Sequence, residues 1–360
     1  MQVGKFKNNF YRNKIKFWNK KKVVITGCTG FKGAWLVLIL LRYGAIVTGI
    51  ALKPNDKKDI FAKANLQNKI KFYQYDINDK KKILNVFNKV KPDITFHLAA
   101  QSLVLNSYIN PEETYKTNII GSSNIIEACK ALKKKNSLLI TTTDKVYKNT
   151  NQKSFFKEND KIGGSDPYSV SKAALEIICD YYLDLSKKSI YLSMCVARSG
   201  NVIGGGDWSK NRLFPDIARA IQHKRTLKIR NPNHTRPWQH VLDPLYGYLA
   251  LIEKNYKSKK FIGCYNFGPR KNSSSKVSSV LKLTKKKSPR LKFLIKKNKL
   301  YESKFLQLNS SKAKKEVGYK QIWNLEDSVN KTLVWYNGFF KKNKVEELCL
   351  QDIKNFEKKN

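Results

Sequence analysis

The sequence predicts an α/β fold, in which a doubly wound parallel sheet is joined to a smaller mixed α/β domain. From Lys22 to Arg198, short β-branched runs alternate with helix-length amphipathic segments, an order that gives parallel strands covered by helices on both faces. The first run ends in a glycine-rich turn that leads into a helix. From Gly200 onward the alternation breaks down, which indicates a second and less regular domain.

The predicted elements follow the chain in a regular order. The first strand is the apolar run at residues 23–26, and the apolar segment at 31–43 predicts the helix after the glycine-rich turn. Further β-branched runs predict strands at 45–50, 70–75, 94–97, 138–142 and 190–197. The sheet domain therefore spans residues 17–197 with a returning segment at 238–270, the second domain spans 198–237 and 271–360, and residues 1–16 form a basic N-terminal extension.

The composition excludes several classes of protein. The 360 residues carry 71 Lys and Arg against 27 Asp and Glu, a net charge of +44, but 41% hydrophobic and 12% aromatic residues are too many for a disordered polycation. No apolar run approaches the roughly 18 residues of a membrane span. Six scattered cysteines without C-x-x-C pairs favour reduced thiols and a cytoplasmic location, and four histidines without spaced acidic partners predict no metal site.

The excess positive charge comes almost entirely from lysine. Only ten of the basic residues are Arg, the residue best suited to bidentate recognition of bases and phosphates. We therefore interpret the lysines as a solvated surface that attracts anionic small molecules, and we expect no specific nucleic-acid partner and no membrane partner.

A glycine-rich loop follows the first strand. Residues 27–33 read Gly-Cys-Thr-Gly-Phe-Lys-Gly, and such glycines permit a tight turn, close approach to a pyrophosphate and close packing of the next helix. The N-terminus of that helix offers N–H groups and a partial positive charge to phosphates. The loop predicts a dinucleotide-binding domain of the Rossmann type.

The residues alone leave the choice between NAD and NADP open, with NAD favoured. No acid ends the second strand, where the chain reads Ala-Leu-Lys-Pro at 51–54, so Lys53 would tolerate a 2′-phosphate or is simply a surface lysine. Asp76, after the third strand, is the nearest carboxylate for the adenosine end of the cofactor.

Tyr168 and Lys172 are candidates for acid–base chemistry. Their i, i+4 spacing on a predicted helix places both side chains on one face. An ammonium beside a phenol favours the phenolate, which predicts a tyrosine pKa lowered from about 10 toward neutrality. Such a group can take a proton from a substrate hydroxyl while a nicotinamide accepts hydride.

Further motifs indicate a family. The glycine loop, His97-Leu98-Ala99-Ala100, Asn118 and the Tyr168/Lys172 pair together resemble the extended short-chain dehydrogenase/reductase superfamily. The sequence at 143–145 resembles the Thr-Asp-Glu of sugar-nucleotide 4,6-dehydratases, and its Asp-Lys form resembles the branch that acts on CDP-glucose. The similarity covers residues 17–355 and includes Gly-Gly-Gly-Asp-Trp and Arg-Pro-Trp-Gln-His-Val. The chain departs from the family pattern at Leu105, at 301–303 and at Asn309.

The resemblance implies an NAD-dependent dehydratase that acts on a nucleotide sugar. Tyr168 would remove the C4 hydroxyl proton while hydride passes to NAD, and Asp144 would protonate the departing C6 hydroxyl. Lys145 is favoured as the base that takes the C5 proton, the alternative being that it only orients the substrate. Thr143 would hydrogen-bond the C4 oxygen or the Tyr168 hydroxyl. The implied catalytic residues are Thr143, Asp144, Lys145, Tyr168 and Lys172.

The resemblance also implies binding residues and an assembly. Arg236 would pair with the diphosphate of the substrate, with Gln101, Asn201 and Arg212 as neighbours of the nucleotide sugar. A homodimer or homotetramer would form through helices that flank the sheet. The implied cofactor-binding residues are Gly27, Thr29, Gly30, Phe31, Lys32, Gly33, Asp76, Ile77, Leu98, Ala99, Ala100, Asn118, Tyr168 and Lys172.

Three other functions compete with the dehydratase. An epimerase or decarboxylase on the same scaffold would need Tyr168 and Lys172 but not Asp144 and Lys145. A redox-sensing binding protein would keep the glycine loop without the intact catalytic set. An RNA-binding protein would carry an RNP-like, KH or arginine-rich motif, and none is present in the sequence.

Overall fold

The computed structural model describes residues 9–150, 155–270, 274–295 and 305–360, and it has the predicted parallel sheet at its centre. The central strands are β1 (Lys22–Thr26), β2 (Ile46–Ile50), β3 (Lys71–Tyr73), β4 (Ile94–His97), β5 (Asn136–Thr143), β6 (Leu192–Ser199) and β11 (Gly263–Phe267). Shorter strands are β7 (Val202–Ile203), β8 (Leu227–Ile229), β9 (Thr235–Pro237), β10 (Gln239–His240), β12 (Ser274–Lys276) and β13 (Phe293–Ile295).

The order of the central strands is β3-β2-β1-β4-β5-β6-β11, and each neighbouring pair is parallel. The chain reverses its direction of winding between β1 and β4, and in such sheets ligands bind in the crevice beyond the carboxyl ends of the strands at this point. The register aligns these ends, since Thr26 pairs with His97 and Thr143 with Ser199. The predicted α/β, Rossmann-type fold is therefore confirmed.

Helices cover both faces of the sheet. The helices are α1 (Asn9–Trp18), α2 (Phe31–Arg42), α3 (Ile60–Lys63), α4 (Lys80–Val90), α5 (Val104–Ile109), α6 (Pro111–Tyr115), α7 (Ser122–Lys130), α8 (Pro167–Lys188), α9 (Leu213–Gln222), α10 (Leu242–Lys257), α11 (Val277–Lys287), α12 (Leu325–Phe340) and α13 (Val345–Lys359). One face packs on α2, α10 and α13, and the other on α4, α7 and α8. Within the described ranges, none of these helices combines the length and apolar character that a membrane crossing requires.

Helix α2 shows how the sequence specifies this layering. Residues 34–40 are all buried, as expected for a helix that is apolar on every side and lies between a sheet and other helices. Its last turn is joined to the C-terminal helix, because Arg42 forms an ion pair with Glu357 at 3.0 Å. Helix α13 thus packs on the sheet domain, although the sequence assigned residues 271–360 to the second domain.

The less regular part of the chain forms a smaller mixed layer. Strand β7 pairs with β10, β8 with β13, and β9 with β12, and helices α9, α11 and α12 surround a separate apolar cluster. Between these segments the chain returns to the sheet, because α10 and β11 fall inside the predicted returning segment at 238–270.

Part of the predicted basic N-terminal extension forms a helix that packs on the rest of the protein. The predicted boundary at residue 16 falls inside α1, which packs against α10. Lys14 donates to Glu253 at 2.7 Å, and the Trp18 indole N–H donates to the same carboxylate at 2.6 Å. Trp18 is fully buried, so α1 belongs to the folded body, and only residues 1–8 of the predicted extension lie outside the described residues.

Candidate active site

The glycine loop packs tightly enough to exclude any side chain at two positions. Gly27 has φ +71°, a conformation that favours glycine, and a Cβ there would lie 2.7 Å from the Ala99 nitrogen. A Cβ on Gly33 would lie 2.1 Å from the Gly27 oxygen. The loop is thus pressed against the end of β4 and the first turn of α2, which leaves the N–H groups at the start of α2 directed into the crevice, with Gly30 as the N-cap. This cradle fits the pyrophosphate of a dinucleotide.

The predicted contacts at the adenosine end lie along β2 and β3. The Thr29 hydroxyl donates to the Leu52 carbonyl at 3.1 Å and ties the glycine loop to the end of β2. Asp76 is exposed just after β3, and its carboxylate accepts from the Asn78 amide at 2.8 Å. Ile77 is buried, and its carbonyl accepts from Asn124 at 3.0 Å. These contacts shape the edge of the crevice beside the first three strands.

Residues after β4 form the floor between the cofactor loop and the catalytic helix. Buried His97 shares a hydrogen bond with Thr26 at 2.7 Å and another with Ser122 at 2.8 Å, and burial lowers its pKa to about 3. A neutral histidine held in this way is a structural residue. Leu98, Ala99 and Ala100 follow it into the crevice.

Asn118 and Gln101 bond to each other across this floor. The Asn118 side chain accepts from the Gln101 amide at 2.9 Å and donates to the Ser171 hydroxyl of α8 at 2.9 Å. The Gln101 side chain donates to Thr114 at 2.9 Å and accepts from the Leu103 amide at 2.7 Å. The side chains predicted to bind cofactor and substrate thus also fix the loop after β4 to the catalytic helix.

The structure brings Tyr168 and Lys172 together on the first turns of α8. Asp166 caps this helix through a capping box with Ser169, and Pro167 occupies the first turn. Both functional side chains are buried, Tyr168 to 8% and Lys172 to 3% residual exposure. The Lys172 ammonium donates to the Thr141 carbonyl at 3.3 Å.

The pKa of Tyr168 differs from the sequence-based expectation. Burial of the phenol raises the pKa of Tyr168 to about 12, although a hydrogen bond with Thr143 acts in the opposite direction. The predicted lowering by Lys172 is therefore wrong for this structure, because the cost of burying the phenolate exceeds the stabilisation it receives. Burial also lowers the pKa of Lys172 to about 8.

Thr143, Asp144 and Lys145 meet at the end of β5. The Thr143 hydroxyl donates to Asp144 Oδ1 at 3.0 Å, and Lys145 Nζ lies 3.5 Å from the same oxygen. Asp144 is only 1% exposed, and its Oδ2 has no hydrogen-bond partner among the described residues. A Cβ on Gly200 would lie 2.9 Å from this oxygen, so the β6 end packs directly against the carboxylate.

A buried ionic network, which sequence reasoning missed, supports these residues. Arg198 Nη2 lies 2.9 Å from a Glu176 carboxylate oxygen, and both side chains are nearly inaccessible to solvent. The other Glu176 oxygen accepts from the Thr142 hydroxyl, and Arg198 donates to the Tyr147 hydroxyl at 2.8 Å. Glu176 follows Lys172 at i+4, so helical periodicity placed it on the catalytic face, but nothing in the local sequence indicated its partner.

The predicted substrate residues lie at the opposite wall. Arg212 forms an ion pair with Asp207 at 3.1 Å, which raises the pKa of Arg212, and it also donates to Ser102. Arg236 is 4% exposed and lies in β9, which pairs with β12. The buried Asn201 Oδ1 has no hydrogen-bond partner among the described residues.

Some predicted positions stand apart from this cluster. The departure at 301–303 lies outside the described residues, and Asn309 accepts from the Ser311 amide at 2.9 Å. The described residues contain no group of three or more His, Cys, Asp or Glu side chains that could hold a metal ion.

Lys32 is more closely connected to the catalytic strands than its place in the glycine loop suggested. Its ammonium donates to the Ser199 hydroxyl at 2.7 Å and approaches the Tyr248 hydroxyl at 3.4 Å. Tyr248 in turn donates to Ser199 at 2.7 Å. The side chain therefore extends from α2 to the end of β6.

Comparisons with known proteins agree on one group of enzymes. The family model for GDP-mannose 4,6 dehydratase matches residues 24–332. A CDP-glucose 4,6-dehydratase from Salmonella typhimurium is 36% identical over 333 residues, which cover 90% of this chain and 93% of the relative. A UDP-glucose 4-epimerase from Mycoplasma genitalium is 26% identical and covers 89% of this chain and 98% of its own.

Solved structures show the same fold at lower sequence identity. The UDP-glucose 4-epimerase from Thermotoga maritima with UDP-glucose has a TM-score of 0.77 at 23% identity, covering 89% of this chain and 99% of its own. The UDP-glucuronic acid 4-epimerase from Bacillus cereus with UDP-glucuronic acid and NAD has a TM-score of 0.76 at 21% identity, covering 88% and 99%.

Proposed function

Because this chain belongs to the GDP-mannose 4,6-dehydratase family, we propose that it is an NAD-dependent CDP-glucose 4,6-dehydratase. It converts CDP-glucose to CDP-4-dehydro-6-deoxyglucose and water. The observation that carries the proposal is the trio Thr143, Asp144 and Lys145 beside Tyr168, since an epimerase needs the tyrosine but no acid–base pair for dehydration. The 36% identical relative supports the nucleotide.

The crevice residues fit NAD. The Gly27–Gly33 contact allows the backbone to approach the pyrophosphate, and the start of α2 offers N–H groups to it. Exposed Asp76 stands at the edge where the adenosine ribose would bind. When bound, NAD supplies the capacity to accept hydride from C4 of the sugar and to return it to C6.

Tyr168 takes the proton of the C4 hydroxyl. Its phenolate form is costly when buried, so a proton acceptor of this kind needs stabilisation, which the hydrogen bond with Thr143 and the charge of Arg212 supply. The hydrogen bond from Lys172 to the Thr141 carbonyl keeps that ammonium beneath the catalytic face of α8.

Asp144 and Lys145 carry out the loss of water. In this proposal Lys145 takes the C5 proton made acidic by the C4 ketone, and Asp144 gives a proton to the departing C6 hydroxyl. Lys145 Nζ and Asp144 Oδ1, the atoms that would carry the two new charges, lie 3.5 Å apart. The two proton transfers stabilise each other, because the new positive and negative charges form side by side.

Arg236 and Arg212 face the phosphates of the substrate. A buried guanidinium at the Arg236 position is suited to bidentate binding of a diphosphate, and Arg212 is half-buried at the start of α9. Asn201, whose amide oxygen is buried without a partner among the described residues, would accept a hydrogen bond from the nucleotide sugar.

A homodimer or dimer of dimers completes the proposal. Val170, Ile177 and Tyr181 are exposed on α8 at helical spacing, with exposed fractions of 42%, 66% and 62%. Exposed Ile109 and Ile120 lie on the neighbouring segments. An apolar helical face of this kind is suited to pairing with a second copy. Light scattering should give at least twice the monomer mass at micromolar concentration, and a monomer there would contradict the pairing.

The test of the function is product analysis. The purified protein, supplied with NAD, is incubated with CDP-glucose, and mass spectrometry should detect a product lighter by one water. UDP-, GDP- and dTDP-glucose serve as controls and should react much more slowly. Turnover of one of these without turnover of CDP-glucose would overturn the nucleotide assignment, and epimerised sugar without water loss would favour the epimerase.

A further inference from the structure

The carboxylate that Asp144 becomes during dehydration has an incomplete set of partners. Oδ1 is bonded by Thr143 and approached by Lys145, whereas Oδ2 has no hydrogen-bond partner among the described residues. The group is 1% exposed, so water contributes little to its solvation. A buried carboxylate of this kind is costly unless a positive charge lies near it.

Lys32 brings a positive charge to the end of β6, which packs against the carboxylate. Its ammonium is 2.7 Å from the hydroxyl of Ser199, and the next residue, Gly200, packs against Asp144 Oδ2. The partners that bind Lys32 directly, Ser199 and Tyr248, are neutral hydroxyls. Asp144 is the acidic group among those that act electrostatically on Lys32.

We propose that Lys32 is a positioning residue for the dehydration step, supplying the positive charge against which Asp144 becomes ionised as it protonates the departing C6 hydroxyl. This inference rests on the proposed function. In the step, Lys145 takes the C5 proton, and the electrons of that C–H bond form the C5–C6 double bond. The C6–O bond breaks, the hydroxyl leaves as water with the Asp144 proton, and Asp144 remains as a carboxylate.

The other cations that act electrostatically on Lys32 have separate partners or roles. Lys172 is bonded to the Thr141 carbonyl, and Arg212 forms an ion pair with Asp207. Lys145 serves as the base in the same step. Lys32 is therefore the cation that remains to stabilise Asp144 from the end of β6.

The charge of Lys32 should depend on pH near neutrality. Burial is the main cause that lowers the pKa of Lys32 to about 7, and the charges of Arg212, Lys172 and Lys145 act in the same direction, opposed by Asp144. The Tyr248 and Ser199 hydroxyls are the remaining groups that face the ammonium. Its charge is lost as pH rises through about 7, so the rate of water loss should fall on the alkaline side.

The test separates C4 oxidation from dehydration in rapid-mixing experiments with the NAD-loaded protein and CDP-glucose. In Lys32→Met, water loss should slow at least about tenfold, which corresponds to a change of one unit in the pKa of the acid that protonates the C6 hydroxyl. Reduced nicotinamide should then accumulate, and its near-ultraviolet absorbance should rise. NAD binding, measured by calorimetry, should be affected much less than water loss. Lys32→Arg should restore water loss and remove its decline above neutral pH, because Arg keeps its charge. Lys63→Met, which removes an exposed lysine charge at the end of α3, is the matched control.

Several outcomes would overturn the inference. Unchanged water loss and an unchanged pH profile in Lys32→Met would show that the charge is not used. Equal losses of NAD binding and C4 oxidation would show that Lys32 serves the cofactor loop, and Lys32→Gln repeats the comparison if the Met variant unfolds. The two hypotheses fail differently, because a wild-type protein that releases no water from CDP-glucose contradicts the proposed function itself.

Discussion

Lys145 is the residue that most distinguishes this site from one with two carboxylates. With a Glu beside the Asp, a negative charge would move from one acid to the other during dehydration, whereas in the proposed step Lys145 gains a positive charge as Asp144 becomes negative. The atoms that would carry the new charges are already 3.5 Å apart, with the Asp144 carboxylate buried and Lys145 half-buried. The chemistry is therefore sensitive to any group that favours charge separation at this point.

Replacing Lys145 by Met should remove the C5 base and leave the rest of the site in place. We expect exchange of the C5 proton with deuterated solvent and water loss to fall by about 10²- to 10⁴-fold, the usual contribution of a general base. NAD binding and C4 oxidation should persist. Lys148→Met, three residues further along and exposed, is the control. Near wild-type C5 exchange in Lys145→Met would show that Lys145 only orients the substrate.

For Tyr168 and Lys172, the sequence predicted that the two side chains meet but not how burial changes their pKa values. The i, i+4 spacing of Tyr168 and Lys172 was enough to place them on one face. The pKa of Tyr168, however, depends on the depth of the pocket and on Thr143, which lies 25 positions earlier in the chain. A pattern in one segment carries no information on how much solvent the other segments exclude.

The ends of β5 and β6 and the middle of α8 are held together by one buried ion pair. Glu176 of α8 binds Thr142 of β5 and Arg198 of β6, and Arg198 also reaches the Tyr147 hydroxyl. The catalytic Thr143 follows Thr142 directly, so the position of the site depends on this pair. Strand and helix periodicity predicted the three elements, whereas the pairing between them arises only when the sheet forms.

Arg198→Met should destabilise the protein strongly. The substitution leaves the Glu176 carboxylate buried without its ionic partner, which typically costs about 3–5 kcal/mol in the free energy of unfolding. Urea unfolding followed by circular dichroism measures this loss. The double variant Glu176→Gln/Arg198→Met should recover a large part of it, because no unpaired charge remains. A double variant as unstable as Arg198→Met would show that the loss is one of packing rather than of charge.

In the molecule as a whole, the sequence predicted the features that depend on neighbouring residues but not those that depend on residues far apart in the chain. The order of strands and the glycine loop were predictable because period-two runs and turn residues are local signals. The bond between Lys32 and Ser199 joins positions 167 residues apart, and Arg236 became part of a strand only through its pairing with Ser275. Such contacts follow from the topology of the sheet and of the smaller layer, which no single segment determines.

The net charge of +44 is also a property of the whole chain, and it should be visible in the kinetics. Many weak contributions from dispersed lysines raise the local concentration of a doubly charged diphosphate, and mobile ions screen this attraction over roughly 10 Å at 0.1 M salt. The buried ion pair of Glu176 with Arg198 is screened much less, because solvent ions do not reach it. Raising the salt concentration from about 20 to about 300 mM should therefore increase the KM for CDP-glucose by roughly three- to tenfold while kcat stays within about twofold.

Steady-state kinetics with sodium chloride, repeated with an uncharged osmolyte as control, measures the two constants. A KM that does not change with salt, or a kcat that falls in parallel with it, would show that the surface lysines do not attract the substrate.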